Sequence, residues 1–104
     1  MIIFNTTFHV ANEVSQAYVQ FLKTSYIPQA VASGFLMQPC FSRVMQDNNV
    51  DGESYSIQFK VKNVDTLNYW MEQEGHLLNK VLVGKFGQSV VGFSTLLEEI
   101  KLGE

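Results

Sequence analysis

The sequence predicts an α+β fold in which four strands and two helices follow the order β-α-β-β-α-β. Three observations predict it: several segments alternate apolar and polar residues as strands do, two longer segments repeat apolar residues at helical spacing, and Gly, Asn and Pro mark the breaks. This is the order of the ferredoxin-like fold, whose two helices pack on one face of a four-stranded antiparallel sheet. No linker or repeat divides the chain, so we expect residues 1–104 to form one domain.

The predicted first strand covers residues 2–10, where β-branched and aromatic residues alternate with polar ones. Successive side chains of a strand point to opposite faces of the sheet. One face would therefore carry Phe4, Thr6 and Phe8, and the other a polar row formed by Asn5, Thr7 and His9. This row is an ordinary wet surface, the wall of a pocket or part of a catalytic site.

The first helix has Asn12 as its predicted N-cap, followed by apolar residues at helical spacing. Pro28 interrupts this pattern, because proline lacks a backbone N–H and disfavours helical backbone in the residue before it. We expect a kink there, or a short second helix with Pro28 in its first turn. Gly34 is the predicted end of the helix.

Residues 35–46 predict the second strand, in which Pro39 indicates an edge position or a bulge. The polar segment 47–52 predicts the turn of a hairpin. The third strand follows, and its alternation is the clearest in the chain. Its apolar face would carry Tyr55, Ile57, Phe59 and Val61, and its polar face Ser54, Ser56, Gln58 and Lys60.

The second helix is predicted to begin at an Asp65 N-cap and to end at Gly84, with Trp70 in its apolar stripe. Residues 88–100 predict the last strand, whose facing is ambiguous because both of its faces contain large apolar residues. The side turned away from the helices would carry either Val91, Phe93 and Leu97 or Val90 and Leu96.

Two helices can cover only one face of such a sheet, so the other face must meet water, a ligand or another chain. That face is half polar and half apolar, which favours a homodimer whose two sheets enclose a partly polar cavity. The expected ligand-binding side chains of this cavity are Asn5, Thr7, His9, Ser56 and Gln58.

The composition bounds the class of function. Ten acidic and seven scattered basic residues give a net charge of -3, which argues against nucleic-acid binding. The start lacks a secretory signal, and no apolar run approaches the roughly 18 residues of a membrane helix, so we expect a cytoplasmic protein without membrane contact. Cys40 is expected to be a small buried apolar residue. We expect no metal site, because His9, His76 and Cys40 match no ligand spacing.

Four segments together resemble a small bacterial family of unknown function that belongs with the dimeric α+β barrel proteins. They are "MIIFNTTFHV", "YIPQAVASGFL", "SYSIQF" and "FGQSVVGFSTLLEEI", and the resemblance runs nearly end to end. It implies a ferredoxin-like protomer whose sheet packs on a second sheet in a homodimer, and it implies no activity. The wider superfamily includes antibiotic-biosynthesis-type monooxygenases, haem-degrading monooxygenases and stress-induced barrel proteins.

The haem-degrading members are similar in carrying an Asn on the first strand and a Trp and a His on the second helix. Asn5, Trp70 and His76 match these residue types, but the family's His lies about one helical turn further from the Trp, where this chain has Lys80. We therefore expect Trp70 in the core, His76 on a solvated helix surface, and no cofactor.

The cofactor-independent monooxygenases need only a cavity for an electron-rich aromatic substrate and a group that accepts its proton. His9 is the candidate base, since imidazole exchanges protons near neutral pH. A non-catalytic ligand-binding or structural dimer is nevertheless the favoured function. A small monooxygenase-like enzyme is the alternative, with Asn5, His9, Trp70 and His76 as candidate catalytic residues.

Overall fold

Four antiparallel strands form one sheet in the computed structural model, which describes residues 1–45 and 51–103. In chain order they are β1 (Ile2–Val10), β2 (Met37–Arg43), β3 (Glu53–Val61) and β4 (Val90–Glu98). Their order in the sheet is β2-β3-β1-β4, with β1 between β3 and β4. This confirms the predicted ferredoxin-like fold. Most of the predicted hairpin turn lies outside the described residues.

The first helical segment runs without interruption from Asn12 to Ala32. It comprises a 3₁₀ turn (Asn12–Val14), α1 (Ser15–Phe21), a π-helical turn (Leu22–Tyr26) and α2 (Ile27–Ala32). Pro28 lies in the first turn of α2, which agrees with the expected alternative of a short second helix that begins near Pro28. Gly34 follows the segment with a φ of +82°, which confirms the predicted stop. The predicted N-cap is wrong, because Ala11 occupies that position and no side chain of the described residues caps the helix.

The second helical segment comprises α3 (Val64–Trp70), a π-helical turn (Met71–Gly75), α4 (His76–Phe86) and a 3₁₀ turn (Gly87–Ser89). Its N-cap is Asn63, whose Oδ1 accepts a hydrogen bond from the Thr66 backbone N–H at 2.8 Å. The prediction of Asp65 is therefore wrong, and that carboxylate lies in the first turn instead. The predicted end at Gly84 is also wrong, since the helix continues to Gly87, which has a φ of +56°.

The hydrophobic core lies between the helices and one face of the sheet. Tyr18 is at its centre, with ring centroids of Phe8, Tyr55 and Phe86 at 5.7, 5.4 and 6.0 Å. The largest fully buried side chains are Trp70, Tyr18, Phe59, Leu22, Leu36, Ile57, Val10 and Val61. All the helices pack on this face, so the opposite face of the sheet, here called the open face, has no helical cover within the described chain.

Strand β2 forms one edge of the sheet and contains an irregularity at Pro39. Met37 pairs with Lys60, whereas Cys40 pairs with Gln58, so one extra residue is inserted between them. Gln38 adopts a positive φ of 49° within this bulge. Proline cannot donate a ladder hydrogen bond, and the predicted edge or bulge position is confirmed in both respects.

Candidate functional site

The polar row predicted on the first strand lies on the open face. Thr7 stands between Ser56 of β3 and Phe93 of β4, which shows how the register brings three strands together. Strand β3 supplies the remaining polar side chains, Ser56 and Gln58, through the same antiparallel pairing. The five expected ligand-binding residues therefore share one surface: Asn5, Thr7, His9, Ser56 and Gln58.

Hydrogen bonds order the middle of this polar row. The Ser56 hydroxyl donates to Asn5 Oδ1 at 2.7 Å, and Asn5 Nδ2 donates to the Thr7 hydroxyl at 3.4 Å. The side chains of Asn5, Thr7 and Ser56 are half-buried. An amide nitrogen carries two N–H donors, so Asn5 keeps one that no described residue accepts. The row can therefore donate and accept hydrogen bonds with a bound polar molecule.

His9 lies at the end of the row and is exposed. Its Nδ1 lies 3.4 Å from the Ser54 hydroxyl. Beyond His9 the row leads into a cleft of about 370 Å³ whose lining includes Glu13, Asp51 and Gln88. The imidazole is thus accessible from both the open face and this cleft.

An apolar band on β4 runs beside the polar row. The register places Val91, Phe93 and Leu97 on the open face, which decides the facing of the last strand. These side chains are 56%, 66% and 42% exposed. Val91 and Phe93 are adjacent on this face, and Thr95 separates them from Leu97. Large apolar groups exposed together are typical of interaction surfaces.

Lys60 and Glu99 form an ion pair at the opposite end of the open face, with 2.9 Å between Nζ and Oε2. The hydrogen bond from Lys60 lowers the pKa of the Glu99 carboxyl. Both side chains are solvent-accessible, so the pair contributes little to stability. It places two opposite charges side by side at this end of the open face.

The residues of the haem resemblance are not brought together. Trp70 is 1% exposed and packs against Phe4, with 6.4 Å between ring centroids. Phe4 and Asn5 are consecutive on β1 and point to opposite faces, so the sheet separates Trp70 from Asn5. His76 lies exposed on the helix, where its Nδ1 is 3.1 Å from the Met71 carbonyl oxygen.

Cys40 is exposed, so the expectation of a buried cysteine is wrong. The bulge at Pro39 explains the difference. An uninterrupted ladder from the Met37–Lys60 pair would place Cys40 opposite Ile57 on the buried face, but the extra residue shifts it to Gln58. The thiol therefore lies on the open face, with Sγ 3.7 Å from the Ser42 hydroxyl.

A second cavity, which the sequence did not predict, lies on the helix side of the sheet. It has a volume of about 310 Å³ and lies between β1, β4 and the second helical segment. The hydroxyls of Thr6 and Ser94 meet in its wall, with 3.0 Å between the oxygen atoms. Small residues at the helix-facing positions of β4, Gly92 and Ser94, were the available signal. The sequence alone could not reveal the cavity from these small residues, because it did not show which side chains of β4 face the helices.

Two further observations concern the described chain as a whole. None of its helices is both long and apolar enough to cross a membrane. Over the same residues, no three His, Cys, Asp or Glu side chains come together as a metal site requires.

Comparisons with known proteins place the fold among ferredoxin-like proteins. A family model described as "Domain of unknown function (DUF4286)" matches residues 1–100. A comparison with functionally curated proteins finds no match. The chain is similar to a dimeric ferredoxin-like protein from an uncultured marine organism, at 10% identity and a TM-score of 0.68, over 100% of this chain and 99% of that one.

Two further solved structures share the fold. HapK from Hahella chejuensis is 13% identical, with a TM-score of 0.73 over 100% of this chain and 97% of that one. SnoaB from Streptomyces nogalater, a cofactor-independent oxygenase, is 13% identical, with a TM-score of 0.69 over 99% and 97%. At these identities the likeness concerns the fold alone.

Proposed function

Since the chain belongs to the DUF4286 family of domains of unknown function, we propose its role from the open face: a homodimeric, cytoplasmic ligand-binding protein. Two open faces pack together and enclose a cavity for a small polar molecule. The observation that carries this proposal is the hydrogen-bonded row of Asn5, Thr7 and Ser56 beside an exposed apolar band on the same surface.

The apolar band supports the dimer. Val91, Phe93 and Leu97 lie on the same face of one strand, so a flat partner surface can cover all three at once. A second copy supplies such a surface, because a two-fold interface brings the same patch from each subunit. The dimeric ferredoxin-like protein of similar fold supports this choice.

The polar row supports a ligand. A wholly packed interface would bury the Asn5 amide and the Thr7 and Ser56 hydroxyls, and each buried polar group needs a hydrogen-bond partner. A small molecule with donors and acceptors supplies those partners. No carboxylate or ammonium belongs to the five residues, so the expected ligand is polar and carries little or no charge.

Native mass spectrometry of protein purified from its own host tests both parts of the proposal, because it reports subunit number and retained molecules together. A dimer that carries an additional small mass, released on denaturation, is the expected result. A monomer at micromolar concentration would overturn the dimer. A dimer without additional mass, even after incubation with host metabolite extract, would argue against ligand binding and for a structural role.

A small monooxygenase-like enzyme is the second candidate, and the position of His9 favours it. The exposed imidazole stands at the end of the polar row and can accept a proton from a phenolic substrate in the inter-sheet cavity. The oxygenase of similar fold supports the same chemistry. Oxygen uptake with an electron-rich phenol, faster than the uncatalysed rate and lost in His9→Gln, is the expected result. Equal rates with and without the protein would exclude it for that substrate.

A further inference from the structure

We propose that the helix-side cavity is a second binding site, separate from the open face, which takes a small uncharged ring-containing molecule bearing a hydroxyl or carbonyl group. The cavity holds about 310 Å³, which is within the range of small-molecule sites. The sheet itself lies between this cavity and the polar row, since Thr6 and Asn5 point to opposite faces of β1. Of the described lining residues, Phe93 alone also belongs to the open face, so the cavity does not need the dimer in order to form.

The described walls of the cavity are mostly apolar and contain no charged side chain. Its lining residues are Phe4, Thr6, Phe8, Tyr26, Met71, Gly75, Asn79, Leu82, Val83, Val90, Gly92, Phe93 and Ser94. Aromatic rings of β1 and aliphatic side chains of α4 make up much of this lining. An ion would lose its hydration here without gaining a counter-charge, so the occupant is uncharged.

Glycines on two walls of the cavity contact aromatic rings. Gly92 of β4 lies beside the Phe8 ring, and Gly75 of the π-helical turn packs against the Trp70 ring. A Cβ at either position would stand 2.6 Å from a ring carbon, so a side chain there would have to displace an aromatic ring. The two glycines thus let the Phe8 and Trp70 rings pack closely at the edge of the cavity.

A polar group in the cavity lacks a partner. Tyr26 is 7% exposed, lines the cavity, and its hydroxyl has no hydrogen-bond partner among the described residues. Burial raises the pKa of the Tyr26 hydroxyl, so it stays protonated and can donate a hydrogen bond. The hydroxyl oxygen is not among the fully enclosed polar atoms of the described residues that lack a partner, so it is accessible and can donate a hydrogen bond to a bound hydroxyl or carbonyl oxygen.

The Thr6–Ser94 hydroxyl pair and the Asn79 amide provide further polar contacts in an otherwise apolar wall. Each hydroxyl of the pair retains acceptor capacity after their mutual hydrogen bond. A few polar groups within apolar walls are typical of sites that orient a ring-containing ligand. The chemistry therefore points to a phenol or aromatic ketone rather than a hydrocarbon.

The test is an NMR titration of the ¹⁵N-labelled protein with 2-naphthol as the probe. Glycine amides resonate in a distinctive region, and the chain offers glycines inside and outside the cavity. We expect saturable shifts at Gly75 and Gly92, and none at Gly52 or at Gly84. Shifts confined to other residues, or no saturable shift at millimolar probe, would overturn the proposal.

Two variants at adjacent residues test whether the probe binds in the helix-side cavity. Ser94→Leu fills the cavity at an exposed position and should abolish the shifts at Gly75 and Gly92. Thr95→Leu makes a similar change on the open face of the same strand and should leave them intact. Equal effects of the two substitutions would contradict the proposal. Sedimentation of both variants measures dimerisation separately. Loss of the proposed dimer can therefore be distinguished from loss of probe binding in the cavity.

Tyr26→Phe tests the polar contact without filling the cavity. Loss of one neutral hydrogen bond should weaken 2-naphthol binding about five-fold. The variant keeps the ring, and the hydroxyl it loses has no partner within the described chain, so the fold should be retained. Unchanged affinity in this variant would exclude the Tyr26 hydroxyl as the recognition group, and the proposed ligand class with it.

Discussion

The Phe8 ring lies across Gly92 of the neighbouring strand, so closely that a Cβ on Gly92 would stand 2.6 Å from ring atom Cδ1. The two residues are direct partners in the β1–β4 ladder. An aromatic ring that covers a glycine on the adjacent strand fills the space that a side chain would occupy. This contact fixes the Phe8 ring between the core and the helix-side cavity.

Gly92→Ala should therefore destabilise the protein by about 1–3 kcal/mol, the usual cost of overpacking. Gly84→Ala is the matched control, because Gly84 lies within α4 and nothing would contact its Cβ within 4 Å. That substitution should stabilise the helix by about 0.5–1 kcal/mol. Urea unfolding measures both changes. Equal effects of the two substitutions would mean that the Phe8 ring moves aside at no cost.

Asn63→Ala should lower the free energy of unfolding by about 1 kcal/mol, because it removes the side chain that caps α3. Asp65→Ala should cost less, about 0.3–1 kcal/mol, since Asp65 only complements the positive end of the helix dipole. The two variants are compared by thermal unfolding at low and high salt. The Asp65 effect should shrink with salt and the Asn63 effect should not. A larger effect at Asp65 would reinstate the cap predicted from sequence.

The two helix boundaries illustrate what local sequence could and could not predict. Asn63 and Asp65 are both good capping residues, and only the backbone at Asn63, which is extended, distinguishes them. Gly84 and Gly87 are likewise both possible stops. The helix passes the first because glycine tolerates helical backbone, and ends at the second, which adopts a positive φ.

The facing of the strands was predictable wherever a clean alternation existed. Phe4 and Asn5 lie on the faces expected of them, because period-two patterning is a local property of a strand. The facing of β4 could not be derived, since the strand is exposed on both faces beyond Val90 and is apolar on both. The helix-side cavity depends on that facing, and Cys40 depends on a bulge. Both therefore required the register between strands.

Two tyrosine hydroxyls in the core provide a matched comparison of hydrogen-bond satisfaction. The Tyr18 hydroxyl is buried without a partner in the described chain, whereas the Tyr55 hydroxyl is 2.7 Å from the Ser15 hydroxyl. Tyr18→Phe should stabilise the protein by about 1 kcal/mol, and Tyr55→Phe should destabilise it by about as much. Chemical denaturation at neutral pH measures both. Destabilisation by Tyr18→Phe would show that its hydroxyl has a partner, such as a buried water.

Burial also predicts a loss of stability in alkali. It raises the pKa of the Tyr18 hydroxyl far above its ordinary 10.0, and that of Tyr26 in the same direction. The unfolded chain therefore releases these protons first, so the free energy of unfolding should be insensitive to them below about pH 10 and fall above it. The slope is at most about 1.4 kcal/mol per pH unit for each group.

The double variant Tyr18→Phe/Tyr26→Phe should flatten this decline, and Tyr69→Phe, at an exposed position, should not. Urea unfolding between pH 9 and 11 measures the three slopes. A decline of the same steepness in the double variant would assign the alkaline sensitivity to other groups.

Thr7→Glu tests the dimer interface directly. Thr7 lies in the middle of the open face, between Ser56 and Phe93, so a carboxylate from each subunit would be brought close to the other across a two-fold interface. Desolvation and repulsion of these charges should weaken association at least ten-fold, which corresponds to about 1.4 kcal/mol. Thr24→Glu adds the same charge on the exposed helical surface and should leave association unchanged.

Sedimentation velocity over a dilution series separates these outcomes, provided that far-ultraviolet circular dichroism shows both variants folded. The charge at Thr7 should also be sensitive to pH, since protonating the introduced carboxyl removes the repulsion and should restore the dimer towards pH 4. A dimer that is unaffected by Glu at Thr7 but lost with Glu at Thr24 would place the interface on the helical layer. In that case the open face would be free, and the polar row would be an ordinary wet surface.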